Sequence, residues 1–245
     1  MSMIKPEWLI MALLTAFPFR KQTQGGTILR TSMFICFPFI VSGSLLYASG
    51  KGPVLPAKGR DLQSLLPAQW KVIEEAEGDL NKDGKADLAA IIEYTGKPAQ
   101  DSAPPRTIFI ALRNAENEYI LSAQADRAIL LANDGGMMGD PLAGLSINRG
   151  SFIVSYYGGS NWRWTEALRF RFQNNEWALI GYTTEWFFIF AEHENSAENE
   201  SKDYNLLTGD MVHVVGKKPA VRKNIGKKRI LLKDFDGETR PDIFK

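Results

Sequence analysis

The chain has 245 residues, 44% of them hydrophobic and 23% charged, which is the make-up of an ordinary globular protein with room for one large domain or two small ones. With 29 Lys and Arg against 28 Asp and Glu, its net charge of +1 excludes a general electrostatic attraction to nucleic acid or to an anionic membrane.

The first fifty residues differ in kind from the rest. Arg20, Lys21 and Arg30 precede the apolar run Met33 to Leu46, and Ala48, Ser49 and Gly50 follow as small residues. Basic, apolar, then small is the order of a secretory leader with cleavage near Gly50. The competing reading is an uncleaved anchor, which would be the chain's one attachment to a membrane. The run is shorter than a span needs and carries Pro38 and Gly43. Cys36, the only cysteine, lies inside this leader. The mature chain would have none, which excludes an intramolecular disulfide, Cys-ligated zinc and a thiol nucleophile. The expected location is periplasmic or secreted, with residues 1–50 as leader, 51–60 as linker and 61–245 as a single β-rich domain.

Lys51 to Gly59 is rich in Pro, Gly and Lys and reads as a linker. Asp61 to Leu66 predicts a short helix, capped by Asp61 and stopped by Pro67. Trp70 to Ala76 fits a strand or a helix equally. From Leu88 onward nearly every segment predicts a strand. Thr107 to Leu112 and Glu118 to Ala123 form a hairpin, Leu142 to Ile147 a strand, and Phe152 to Tyr157 another after the turn at Asn148 to Gly150. Leu168, Phe170 and Phe172 alternate with Arg169 and Arg171, giving one core face and one solvent face. Asn174-Asn175 matches a two-residue turn with positive φ, before a returning strand at Trp177 to Tyr182. Met211 to Val215 and Arg229 to Leu232 complete the set. This pattern predicts a mostly β chain of antiparallel sheets, blade-like or a sandwich, with a short N-terminal helix and no closed propeller.

The strongest motif lies between Glu77 and Leu88. Asp79, Asn81, Asp83 and Asp87 fall at every second position with one omission, at Lys85, whose backbone carbonyl would fill the gap. Alternating oxygen donors around a glycine bend suit a hard cation such as calcium. An EF-hand needs Glu at the twelfth position, and counting from Asp79 that residue is Ala90. The pattern D-x-N-x-D-G-x-x-D followed by the apolar run Leu88 to Ile92 resembles the calcium loop of FG-GAP or VCBS-type repeats, the blade units of integrin-alpha-like propellers, over residues 77–92 alone. The resemblance implies a loop between strands with Asp79, Asn81, Asp83, the Lys85 carbonyl and Asp87 as calcium ligands.

Other candidates carry a functional and a bland reading each. Asp234, Asp236, Glu238 and Asp242 again take alternate positions and are a possible second metal site, or a charged tail. Tyr157, Asn161, Trp162, Arg163 and Trp164 form an aromatic stretch in which the two tryptophans share a strand face and could stack on a glycan or hold a protein ligand; otherwise they are core. Asp134 to Asp140 is glycine-rich but lacks the Lys and Ser/Thr of a phosphate loop. His193, in an acidic stretch that reads as surface loop, and His213, in a strand, show no triad spacing. The basic run Lys217 to Arg229 reads as a solvated loop or as contact with an anionic surface. Together these predict an exported, non-enzymatic, calcium-binding module of the cell envelope or secreted space, with no nucleic-acid partner. The alternative is a hydrolase of envelope polysaccharide or peptide whose carboxylates the spacing does not single out.

Overall fold

The computed structural model describes residues 52–98, 102–190, 199–238 and 243. Residues 1–51 with Cys36, together with His193 and Asp242, lie outside the described residues. The chain is mostly β, with two antiparallel sheets, one of them curled into a half-barrel, one short helix and no closed barrel.

The first sheet contains β1 (Lys58–Gly59), β2 (Trp70–Gly78), β3 (Asp87–Tyr94), β4 (Arg106–Arg113) and β5 (Tyr119–Ala125), in the order β1-β5-β4-β3-β2. The second is a meander of β6 (Leu142–Asn148), β7 (Ser151–Gly159), β8 (Trp162–Gln173), β9 (Glu176–Phe188), β10 (Glu200–Asn205), β11 (Asp210–Val215) and β12 (Val221–Asn224), each strand paired with the next. Asn174 and Asn175, at φ 51° and 62°, make the tight turn between β8 and β9. Bulges between Leu142 and Gly144 and between Arg169 and Phe170 increase the local twist of this sheet.

The two faces of β3 explain the layering. Ala89 and Ile91 join Ile108 and Ile110 against Phe152, Leu168, Phe170 and Leu179 of the meander. Leu88, Ala90 and Ile92 pack on the other side with Phe109 and Tyr119, beneath Leu55, Leu65 and Trp70. The first sheet is therefore a middle layer, and β3 is buried along its whole length. The cover on its outer side includes α1 (Leu62–Leu65). Asp61 accepts from Ser64 N at 2.8 Å while Ser64 Oγ accepts from Asp61 N at 3.1 Å, a reciprocal cap. A single turn cannot hold itself in water; the fully buried Leu65 anchors it, a burial that contributes about 2 kcal/mol.

Three expectations change. Residues 52–59 are not a free spacer: β1 pairs with β5, Leu121 N donates to Ala57 O at 2.9 Å, and Gln124 Nε2 donates to Pro53 O at 2.8 Å. The open edge of β5 offers unpaired backbone groups that recruit this segment. Residues 200–203, the end of the acidic stretch from Ala191 to Asp203 that reads as a surface loop, belong to β10, which forms because β9 and β11 flank it on both sides. Arg229 to Leu232 is not a strand; Leu231 makes a single bridge to Ala178, and Leu232, Phe235 and Ile243 close the core instead. The basic run contains β12, a fully exposed edge strand whose Arg222 and Lys223 discourage pairing with another sheet. No helix among the described residues is long and apolar enough to cross a membrane.

Candidate functional site

The acidic turn joins β2 to β3. Lys82 and Gly84 adopt φ 68° and 83°, which lets the chain fold back within six residues of Gly78. Asp79 Oδ1 accepts from Lys82 N at 2.6 Å and Asp83 N at 3.2 Å, and its Oδ2 accepts from Gly84 N at 3.0 Å. Asn81 Oδ1 accepts from Asp83 N at 2.9 Å, and Asn81 Nδ2 donates to Asp83 Oδ2 at 3.1 Å. Asp83 Oδ1 accepts from Lys85 N at 2.9 Å, a bond that holds the Asp83 carboxyl below the usual range.

Asp87 behaves differently from its neighbours. It is fully buried and accepts from three backbone donors, Leu80 N at 2.8 Å, Asn81 N at 3.3 Å and Arg113 N at 2.8 Å. Burial nonetheless raises its pKa above the ordinary carboxylate value. Its bonds tie the turn to the end of β4. The turn's oxygen-only donor set is of the kind a hard cation takes. As placed, its carboxylates are engaged by backbone amides, and no group of three or more His, Cys, Asp or Glu side chains among the described residues is arranged to hold a metal.

The second acidic cluster is drawn into other contacts. Asp236 accepts from Arg127 Nη2 and from Glu238 N, the latter at 2.9 Å, and Asp234 lies in a single 3-10 turn. Phe235 and Ile243 are buried, so these two positions are docked on the core. Asp236 and Glu238 line a cavity of about 330 Å³ with Trp70, Tyr94, Arg106 and Arg127.

The aromatic stretch is split between two faces. Trp162 and Trp164 share the inner face of β8; Trp162 meets Phe188 with ring centroids 5.2 Å apart, and Trp164 packs against the core. A Cβ at Gly158 would fall 2.5 Å from the Trp164 ring, so only glycine admits that ring position. Tyr157 and Arg163 are on the opposite face, the guanidinium carbon 5.8 Å from the tyrosine ring centre. Asn161 contributes its carbonyl to Ile189 N at 3.0 Å. The five residues therefore do not form one surface, because successive strand residues point to opposite sides. His213 Nε2 lies 2.6 Å from Glu200 Oε1.

One buried ionic centre has no motif to announce it. Arg106, 2% exposed, donates through Nε and Nη2 to Glu93 Oε2 at 2.9 and 2.8 Å. Its Nη1 reaches Leu130 O at 3.0 Å and Asp140 Oδ1 at 2.8 Å. The guanidinium thereby pins the loop entering β6 to the first sheet, and it holds the Asp140 carboxyl below its ordinary range. The available signal was a Glu near the end of the apolar β3 and an Arg at the start of the apolar β4. Comparison with protein-family models, curated proteins and solved structures finds no match.

Proposed function

We propose that the chain is a non-enzymatic binding or structural module of the periplasm or secreted space in which the Asp79–Asp87 turn takes up calcium as a brace between β2 and β3. The observation that carries this is the donor pattern itself: four oxygen-bearing side chains in phase around Gly84, with β3 starting at the last of them. Asp79, Asn81, Asp83 and Asp87, with the Lys85 carbonyl, would hold the ion. It would supply positive charge where three carboxylates crowd one turn and where burial disfavours an ionised Asp87. Export rests on the basic, apolar and small order of the leader. The ligand surface is the inner face of β8 and β9 near Trp162 and Trp164, and the ligand class is a glycan or protein of the envelope.

Thermal unfolding of the full chain in millimolar calcium and in chelator tests the brace. Binding at a hundredfold excess over Kd stabilises by about 2.7 kcal/mol, which corresponds to a rise of roughly 5–10 °C for a domain of this size. Asp83→Ala removes that rise. A melting temperature indifferent to calcium overturns the reading.

A further inference from the structure

Four consecutive pairings place Tyr156 opposite Glu166, Glu166 opposite Thr184, Thr184 opposite Lys202, and Lys202 opposite His213. These side chains form one row across β7 to β11. They share the inner face with Leu168, Tyr182 and Tyr204, since alternate residues of a strand point the same way. On the core side the adjacent row is Val154, Leu168, Tyr182, Tyr204 and Met211, all buried. On the other side it is Gly158, Trp164, Trp186 and Glu200. This row marks where the inner face passes from core to polar side chains.

The stripe opens into a recess of about 200 Å³ lined by Glu166, Tyr182, Thr184, Trp186, Glu200 and Lys202. Glu200 Oε1 accepts from Lys202 Nζ at 2.9 Å and lies 2.6 Å from His213 Nε2, so these three are held as a unit. Two carboxylates against one ammonium leave no positive excess with which to hold a phosphate, sulfate or carboxylate. What the recess offers is acceptors on Glu166 and Glu200, a donor on Lys202 and a hydroxyl on Thr184, which does both. Beside them the Trp186 ring is 47% exposed and presents a flat apolar surface. A pyranose ring has the complementary character, with hydroxyls around its rim and C–H groups on its face.

We infer that this recess binds a neutral saccharide, with Trp186 against the face of the ring and Glu166, Thr184, Lys202 and Glu200 on its hydroxyls. The inference rests on the binding-module reading and supplies its ligand class. It is independent of calcium.

The test is retention of the full chain on an array of neutral and anionic oligosaccharides, followed by fluorescence titration with the neutral oligosaccharide retained. Trp186→Ala and Glu166→Gln should each weaken binding about tenfold or more, as expected for truncating a central contact, and Tyr157→Ala, on the opposite face, should leave it unchanged. Near-ultraviolet circular dichroism checks that each variant is folded. Binding that survives both inner-face changes overturns the recess while leaving a binding module in place. Retention of anionic glycans alone, or a silent array with folded protein, also overturns it. The calcium reading stands or falls separately, on the melting experiment.

Discussion

The β8–β9 hairpin carries large aromatic side chains at both ends of its inner face, and the two ends have opposite fates. Near the Asn174-Asn175 turn, Phe170 is 1% exposed, stacked 5.1 Å from Phe152 and met edge-on by Phe235 at 5.7 Å. At the far end Trp162 and Trp164 are half-buried and Trp186 is exposed. Residue type does not decide which end becomes core; a second packed layer over the ring does. One end holds the domain together, and the other leaves an aromatic ring in solvent.

The sharpest way to break that contrast is to truncate both ends. Phe170→Ala should cost about 3–5 kcal/mol in denaturant unfolding, through lost transfer energy and an unfilled cavity. If Trp186→Ala costs as much, the far end is core and the contrast fails. Arg106→Met comes next. Removing a buried guanidinium leaves Glu93 partly uncompensated, a loss of about 3 kcal/mol, at the low end because Lys71 Nζ remains 2.9 Å from Glu93. A cost near zero would show that the clamp on the loop entering β6 adds nothing.

The pH dependence of the same clamp has a defined sign. Asp140 is held below its unfolded value by the Arg106 hydrogen bond, so its contribution is present at neutral pH and is lost as pH falls through its folded pKa. The stability gap between the native chain and Asp140→Asn should therefore be open at pH 7 and close in acid. A gap that widens on acidification contradicts the assignment. The smallest effect is Trp186→Ala itself, within about 0.5 kcal/mol in stability, and it sharpens the contrast if saccharide capture falls while the unfolding curve stays put.

Alternating apolar residues made most strands readable, and the Asp61 cap and the Asn174-Asn175 turn were readable from local chemistry alone. The polar row was not, because Tyr156, Glu166, Thr184, Lys202 and His213 are brought together only by the register of four separate pairings. Singly, Glu166 looks like a solvent-facing strand residue, and Lys202 falls in a stretch that reads as surface loop. The segment Glu200–Asn205 has little intrinsic β preference, and it becomes a strand only because its neighbours on both sides impose it. In the aromatic stretch the tryptophan spacing was legible, whereas the assignment of Tyr157 and Arg163 to the same surface ignored the period of two.

The central position of β3 sets a clock for the whole domain. Hydrogen-bonded to β2 and β4 and buried on both faces, its backbone can trade protons for deuterium only when the entire domain opens. Protection at Ala90 and Ile91 therefore reads out global stability directly. The amides of the exposed rim strand at Val221–Asn224 wash out through local fraying and carry no such information.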